Sequence, residues 1–204
     1  MKTRMKRLLT VLVTLGLLAA FTSGASALQY TFQPSPPDLQ DLPHSYWYTW
    51  GISAPELAGQ DVVSVTLVIK DLNDYAAEPN DHLFIHFLDS AALGVGRGSD
   101  NQSQYLDQFA GQGVLLLDYS DPDTVAHTIE IAIEPALFEG YAADGIFGFG
   151  FDPDCHFFNN GITLTVVTAP VPEPASLFLL GLGLIGLTAF GRKRLGLWPI
   201  ERTR

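Results

Sequence analysis

Apolar residues recur at every second position in five separate stretches, and this constrains the fold more than any other feature. In Val62–Leu72, Val63, Val65, Leu67 and Ile69 alternate with Ser64, Thr66 and Lys70. In Leu83–Leu88, Leu83, Ile85 and Phe87 share one side, and Phe84, His86 and Leu88 the other. Ile129, Ile131 and Ile133 alternate with Thr128, Glu130 and Glu134; Phe147, Phe149 and Phe151 alternate with Gly148 and Gly150; Ile162, Leu164 and Val166 alternate with Thr163 and Thr165. A period of two is that of a strand with one face on a core. Val114–Tyr119 and Tyr46–Ile52 are further strand candidates, and Glu134–Tyr141 is long enough for one short helix. Seven or more short strands punctuated by Gly, Pro, Asp and Asn predict an all-β fold, an antiparallel β-sandwich whose two sheets share the core. The prolines of Phe32–Pro43 predict an extended lead-in.

The two ends of the chain read differently. Lys2, Arg4, Lys6 and Arg7 precede an apolar run from Leu8 to Phe21, and Ala25-Ser26-Ala27 supplies small residues in A-x-A order. This is the pattern of a secretory signal helix cleaved after Ala27. At the other end Val171-Pro172-Glu173-Pro174 leads into an uncharged apolar segment of 16 residues, Ala175 to Phe190, followed by Arg192, Lys193 and Arg194. That length is at the short end of what spans a bilayer as a transmembrane helix. The basic cluster favours the cytoplasmic side, as a stop to transfer, leaving Pro172–Pro174 outside. The prolines cannot continue the helix, so the junction is expected to be extended and open to an enzyme.

The order of motif, apolar segment and basic cluster resembles the PEP-CTERM sorting signal, which bacteria with an exosortase use to process and release surface proteins. The resemblance implies an exosortase as processing partner, a precursor held transiently in the inner membrane, and delivery to the cell surface or an extracellular matrix. Gly145–Gly161 resembles a segment recurrent in secreted ectodomains that carry this signal. The expected organisation is a signal peptide over 1–27, a β-sandwich ectodomain over 28–168 and a sorting segment over 169–204.

Removing both ends changes the charge balance. Between Leu28 and Thr168 only Lys70 and Arg97 are basic, against 20 acidic residues, a net of −18 with histidine neutral. That sign excludes nucleic acid as a partner and favours solubility and divalent counter-ions.

Three acidic turns stand out. Asp71, Asn73, Asp74, Glu78 and Asp81 offer oxygens of the kind Ca²⁺ takes, six to eight at a time. The same residues also favour turn geometry by themselves. Asp118, Asp121 and Asp123 read as a β-turn first and a ligand set second, and Asp152-Pro153-Asp154-Cys155-His156 is the third turn. His82 and His86, four apart on an expected strand, share a face, either as solvated side chains or, with His156, Cys155 or Asp154, as zinc ligands. The single cysteine can form no intrachain disulfide and reads most simply as buried.

Tyr46, Tyr48 and Trp50 would lie on one face of a strand, either filling a core or interface or stacking on a sugar. The sequence has no Gly-x-Ser-x-Gly elbow, and Gly94-Val95-Gly96-Arg97-Gly98 lacks the spacing of a phosphate loop. The expectation is therefore a secreted, non-enzymatic surface or matrix protein. The alternative is a carbohydrate-binding module, calcium-stabilised, with extracellular polysaccharide as its partner.

Overall fold

The computed structural model describes residues 26–74, 82–100, 106–121, 123, 125–170, 180, 181 and 183. Ala27–Ala169 forms one compact unit. The chain's two ends form a second unit, of which few residues are described; Leu180, Gly181 and Gly183 are helical. The signal helix, and the remainder of the apolar C-terminal segment, lie outside the described residues.

The strands are β1 (Leu28–Phe32), β2 (Tyr46–Ser53), β3 (Val62–Asp74), β4 (Leu83–Leu88), β5 (Gly94–Ser99), β6 (Val114–Tyr119), β7 (His127–Ile133), β8 (Ile146–Pro153), β9 (Phe157–Phe158) and β10 (Ile162–Thr168). One helix, α1 (Pro135–Tyr141), joins β7 to β8. Sheet one runs β1-β10-β3-β7, with β9 on the end of β3; sheet two runs β5-β2-β8-β4-β6. Every ladder is antiparallel. Both sheets contribute to one core, so the all-β sandwich expected from the alternation is the fold.

The cores of the two sheets differ in chemistry. Sheet one turns in aliphatic and β-branched side chains: Val65, Leu67 and Ile69 of β3, Ile131 and Ile133 of β7, and Ile162, Leu164 and Val166 of β10. Sheet two turns in aromatic ones: Tyr48 and Trp50 of β2, Phe87 of β4, and Phe147, Phe149 and Phe151 of β8. Phe138 of α1 closes one end, 4.9 Å from the Phe147 ring and 5.7 Å from that of Phe87. A Pro at its first turn starts α1, where the missing N–H is not needed.

Two sequence expectations need correcting. The alternation of β3 slips at Lys70–Asp71, where the ladder with β7 is irregular and Asp71 has a φ of 48°. A bulge adds one residue, so Leu72 and Asp74, not Asp71, turn inward. Val63, expected on the core face, is exposed at the start of the strand.

Second, Phe32–Pro43 is not simply an extended lead-in. Leu39, Gln40, Asp41 and Leu42 all have positive φ, a left-handed turn that costs about 1–2 kcal/mol per residue. Complete burial of Leu39 and Leu42 offsets that cost. Asn159 Nδ2 donates to Asp38 O at 2.8 Å, and Ile162 N to Pro37 O at 2.8 Å, so the turn is tied to the β9–β10 connection. The Gly-rich run Gly94–Gly98, for which the sequence suggested no element, is edge strand β5, paired along β2 from Tyr46 to Gly51.

Candidate functional site

The outer faces of the sheets determine what chemistry is available. On sheet one Thr31, Thr165, Thr66 and Ala132 stand side by side across β1, β10, β3 and β7. The matching face of sheet two is roofed by the loop Leu106–Gly113. Phe109, 4% exposed, lies over Gly150, where an added Cβ would come within 2.9 Å of three ring atoms. Gly148 is as close to Ala91 of the β4–β5 connection, its Cβ position 2.6 Å from that side chain. The glycines of Phe147-Gly148-Phe149-Gly150-Phe151 are thus what lets the covering segments lie on the sheet.

Under this roof His86 is buried, its Nε2 2.8 Å from Asp107 Oδ2 and its Nδ1 3.0 Å from Gln112 O. Its ring is 5.8 Å from that of Phe109. The expectation of a solvated histidine face fails here, because a loop distant in sequence covers it. His82 precedes β4 and pairs instead with Asp118 Oδ1 at 2.6 Å, its ring stacked on Phe84. The two histidines have different partners and do not form a zinc pair.

Asp152 lies in the same covered layer and is fully buried. The Gln108 N–H donates to its Oδ2 at 2.7 Å, while Oδ1 meets no donor among the described residues. Burial pushes its carboxyl up to about 6; the Gln108 hydrogen bond works the other way, and the charges of Asp100, Asp154 and Asp107 add to the rise. Asp107 and Asp100 were not singled out in the sequence. The only signal for them was the phase of β8, which turns Asp152 outward onto a face that glycines leave open.

Of the residues considered for Ca²⁺, the three described ones, Asp71, Asn73 and Asp74, point different ways. Asp71 is exposed at the bulge, its Oδ2 accepting from Asn160 Nδ2 at 2.9 Å. Asn73 Nδ2 donates to Asp74 O. Asp74 faces the interior, 2% exposed, and neither of its carboxylate oxygens meets a donor among the described residues. Asp71, Asn73 and Asp74 belong to strand β3 rather than to a loop, and a strand sends neighbours to opposite faces. Glu78 and Asp81 lie outside the described residues.

The second acidic turn is compact. Asp121, Asp123 and His127 bring one ligand atom each within 4.8 Å of one another. Asp121 Oδ2 accepts the Asp74 N–H at 2.9 Å, and Asp121 Oδ1 the Asp123 N–H at 3.3 Å. The Val125 N–H and the His127 side chain hold the Asp123 carboxyl below its usual range. These are the bonds that shape a turn, although Asp118, expected in the same turn, belongs to strand β6.

Tyr48 and Trp50 are 1% and 3% exposed, and Trp50 stacks on Phe149 at 5.7 Å. They are core residues, so the aromatic sugar platform with Tyr46 is not formed. Tyr46 is half-buried, with the Arg97 guanidinium 4.7 Å above its ring. Cys155 is partly exposed.

Residues 170–194 match the PEP-CTERM protein-sorting motif. The chain carries that sorting signal. It implies export by way of a membrane-held precursor and processing by an exosortase. Val171, Pro172, Glu173, Pro174 and the basic residues Arg192, Lys193 and Arg194 fall inside this match, though outside the described residues. Of the expected signal-cleavage residues, Ala25 is outside them, and Ala27 is exposed just before β1. No curated protein matches the chain.

Proposed function

We propose that the mature protein is a non-enzymatic component of the cell surface or extracellular matrix, with the β-sandwich itself as the delivered product. The observation that carries this reading is the pairing of the first and last strands. Leu28 sits opposite Thr168 in the β1–β10 ladder. A cut after Ala27 and a cut near Pro172–Pro174 would leave every strand whole, with only a few residues beyond each end. The two processing events would trim the ectodomain at one edge without touching its core.

The grooves differ in chemistry: one of about 400 Å³ is lined by Leu57, Gln60, Asp61 and Glu139 among others. Another of about 430 Å³, between β1 and the β2–β5 edge, is lined by Thr31, Gln33, Trp50, Ile52 and Val95 among others, with no titratable side chain. The intact mass of the protein from culture medium and from membranes tests the reading. The expected species in the medium runs from Leu28 to the Pro172–Pro174 motif. A membrane species still carrying Arg192–Arg194, with nothing released, means a permanent anchor. Turnover on a glycoside panel, lost on substitution of single acidic residues, would replace the non-enzymatic reading.

A further inference from the structure

The connection from β6 to β7 crosses from an edge of sheet two to an edge of sheet one, and it carries three side chains of the kind that hold metals. Asp121 and Asp123 lie within the connection, and His127 opens β7. One ligand atom from each falls within 4.8 Å of the others, the one such set among the described residues. His127 Nε2 and Asp123 Oδ1 are already 3.0 Å apart. Two ligands of a four-coordinate zinc-class ion, each about 2.0–2.2 Å from the metal, stand roughly 3.3 Å from one another. Asp121 is 8% exposed, and backbone donors orient its carboxylate: the Asp74 N–H on Oδ2 at 2.9 Å and the Asp123 N–H on Oδ1 at 3.3 Å. Each of these oxygens keeps a second lone pair.

Turn chemistry accounts for those backbone bonds, but not for Asp74. This residue ends β3 and is 2% exposed, and neither of its carboxylate oxygens meets a donor among the described residues. Its N–H is the donor on Asp121 Oδ2, so two carboxylates, each more than nine-tenths buried, belong to residues joined by one hydrogen bond. The fixed cations of the ectodomain are Lys70 and Arg97. Lys70 is exposed on sheet one, and the Arg97 guanidinium donates to Gln40 Oε1 at 2.9 Å above the Tyr46 ring. Ionised carboxylates buried together are strongly disfavoured unless something positive joins them.

We propose that Asp121, Asp123 and His127 form a site for a divalent ion of the zinc class, which fastens the β6–β7 connection and with it the neighbouring edges of the two sheets. One imidazole nitrogen and two carboxylate oxygens are a donor set that such an ion takes, with water in the fourth position. Calcium collects six to eight oxygens, and an imidazole is not among its usual ligands. Binding uses the neutral histidine tautomer with a bare Nε2, so the contact between His127 and Asp123 gives way to coordination of both. The charge of the ion offsets the buried Asp121 and, behind it, Asp74. With a single cysteine the ectodomain has no intrachain disulfide, and a metal at this crossing supplies a staple of comparable use.

The test is calorimetric titration of ZnCl₂ into the full chain in detergent, first stripped with EDTA and then freed of it. One ion per chain should bind. His127→Gln and Asp123→Asn should each weaken binding at least about tenfold. Their side chains are 39% and 51% exposed, so neither substitution disturbs the core. Cys155→Ser and His82→Gln should leave binding unchanged. Saturating Zn²⁺ should raise the thermal midpoint of the native chain by about 4 °C, and that of His127→Gln far less. The absence of any heat of binding overturns the proposal. So does binding that survives both His127→Gln and Asp123→Asn, or that is lost in Cys155→Ser or His82→Gln, because the ion then sits elsewhere. Binding of CaCl₂ in place of ZnCl₂ overturns the assigned class of ion.

Discussion

The outer faces of the two sheets are opposite solutions to the same alternation. On sheet one the outward residues Thr31, Thr66, Thr165 and Ala132, with Val68 and Val167 in the same phase, are exposed or half-buried among the described residues. On sheet two the outward residues of β8 are Gly148, Gly150 and Asp152, all buried under loops. A period of two says which residues leave the core, but not whether they reach solvent. The covered face holds the buried His86 and the fully buried Asp152, so substitutions there should have chemical consequences.

The largest effect that would break this contrast is at Gly150. A side chain there meets the Phe109 ring at 2.9 Å, so Gly150→Val has to push a buried phenylalanine off the sheet. Loss of that burial together with overpacking is expected to cost about 3 kcal/mol. Denaturant unfolding measures it, and limited proteolysis should find new cuts within Leu106–Gly113. A Gly150→Val protein as stable as the native one would mean that the loop is not seated on β8.

Next in size is His86. Its two nitrogens are held by Asp107 and by Gln112 O, under Phe109. His86→Ala removes both contacts and strands the Asp107 Oδ2, an expected loss of about 2 kcal/mol. His82→Ala removes a side-chain contact with Asp118 that solvent reaches on both sides and should shift the midpoint far less. Comparison of the two variants by thermal melts sharpens the distinction between roofed and open positions on neighbouring residues of one strand edge.

Asp152 gives the covered face a pH signature. Its folded pKa of about 6 stands above the ordinary 3.8, so the native state holds this proton more tightly than the unfolded chain does. The sign follows: its contribution is fully present below about pH 4 and is lost as pH rises through about 6. In EDTA, stability should therefore fall by on the order of 2 kcal/mol between pH 4 and pH 7 from this group. Asp152→Asn should flatten that part of the profile. A native profile that rises across this window in EDTA, with no change on substitution, would contradict the buried charge.

How much of this was legible follows from the same contrast. The inward residues Val65, Leu67, Ile69, Ile85, Phe87, Ile131, Phe149 and Leu164 were readable, because core burial is what alternation encodes. The bulge at Asp71 was not, since nothing in Lys70-Asp71-Leu72 announces an extra residue, and it misplaced Asp74. Leu39 and Leu42 were hidden among prolines that suggested an extended chain. The site residues were hardest. His86 and Asp152 depend on the loop Leu106–Gly113, separated from them by roughly 20 and 40 residues of sequence, and a contact at that range leaves no local period. Tyr48 and Trp50 were ambiguous for a related reason, since an aromatic row looks the same whether a second sheet or a ligand covers it.

The smallest expected effect completes the comparison from its open side. Thr165 lies at the middle of β10, between Thr31 and Thr66, on the uncovered face of sheet one. Thr165→Val adds no atoms that must fit beneath another segment, and a β-branched side chain suits a strand. Its stability should stay within about 0.5 kcal/mol of native, against the several-fold larger loss from the equivalent outward position Gly150 on β8. Both positions are outward and central in their sheets, so the alternation treats them alike. Only the roof differs. A large destabilisation at Thr165 would show that sheet one is also covered, by some part of the chain beyond the described residues or by a partner, and the distinction between a bare face and a roofed one would fall.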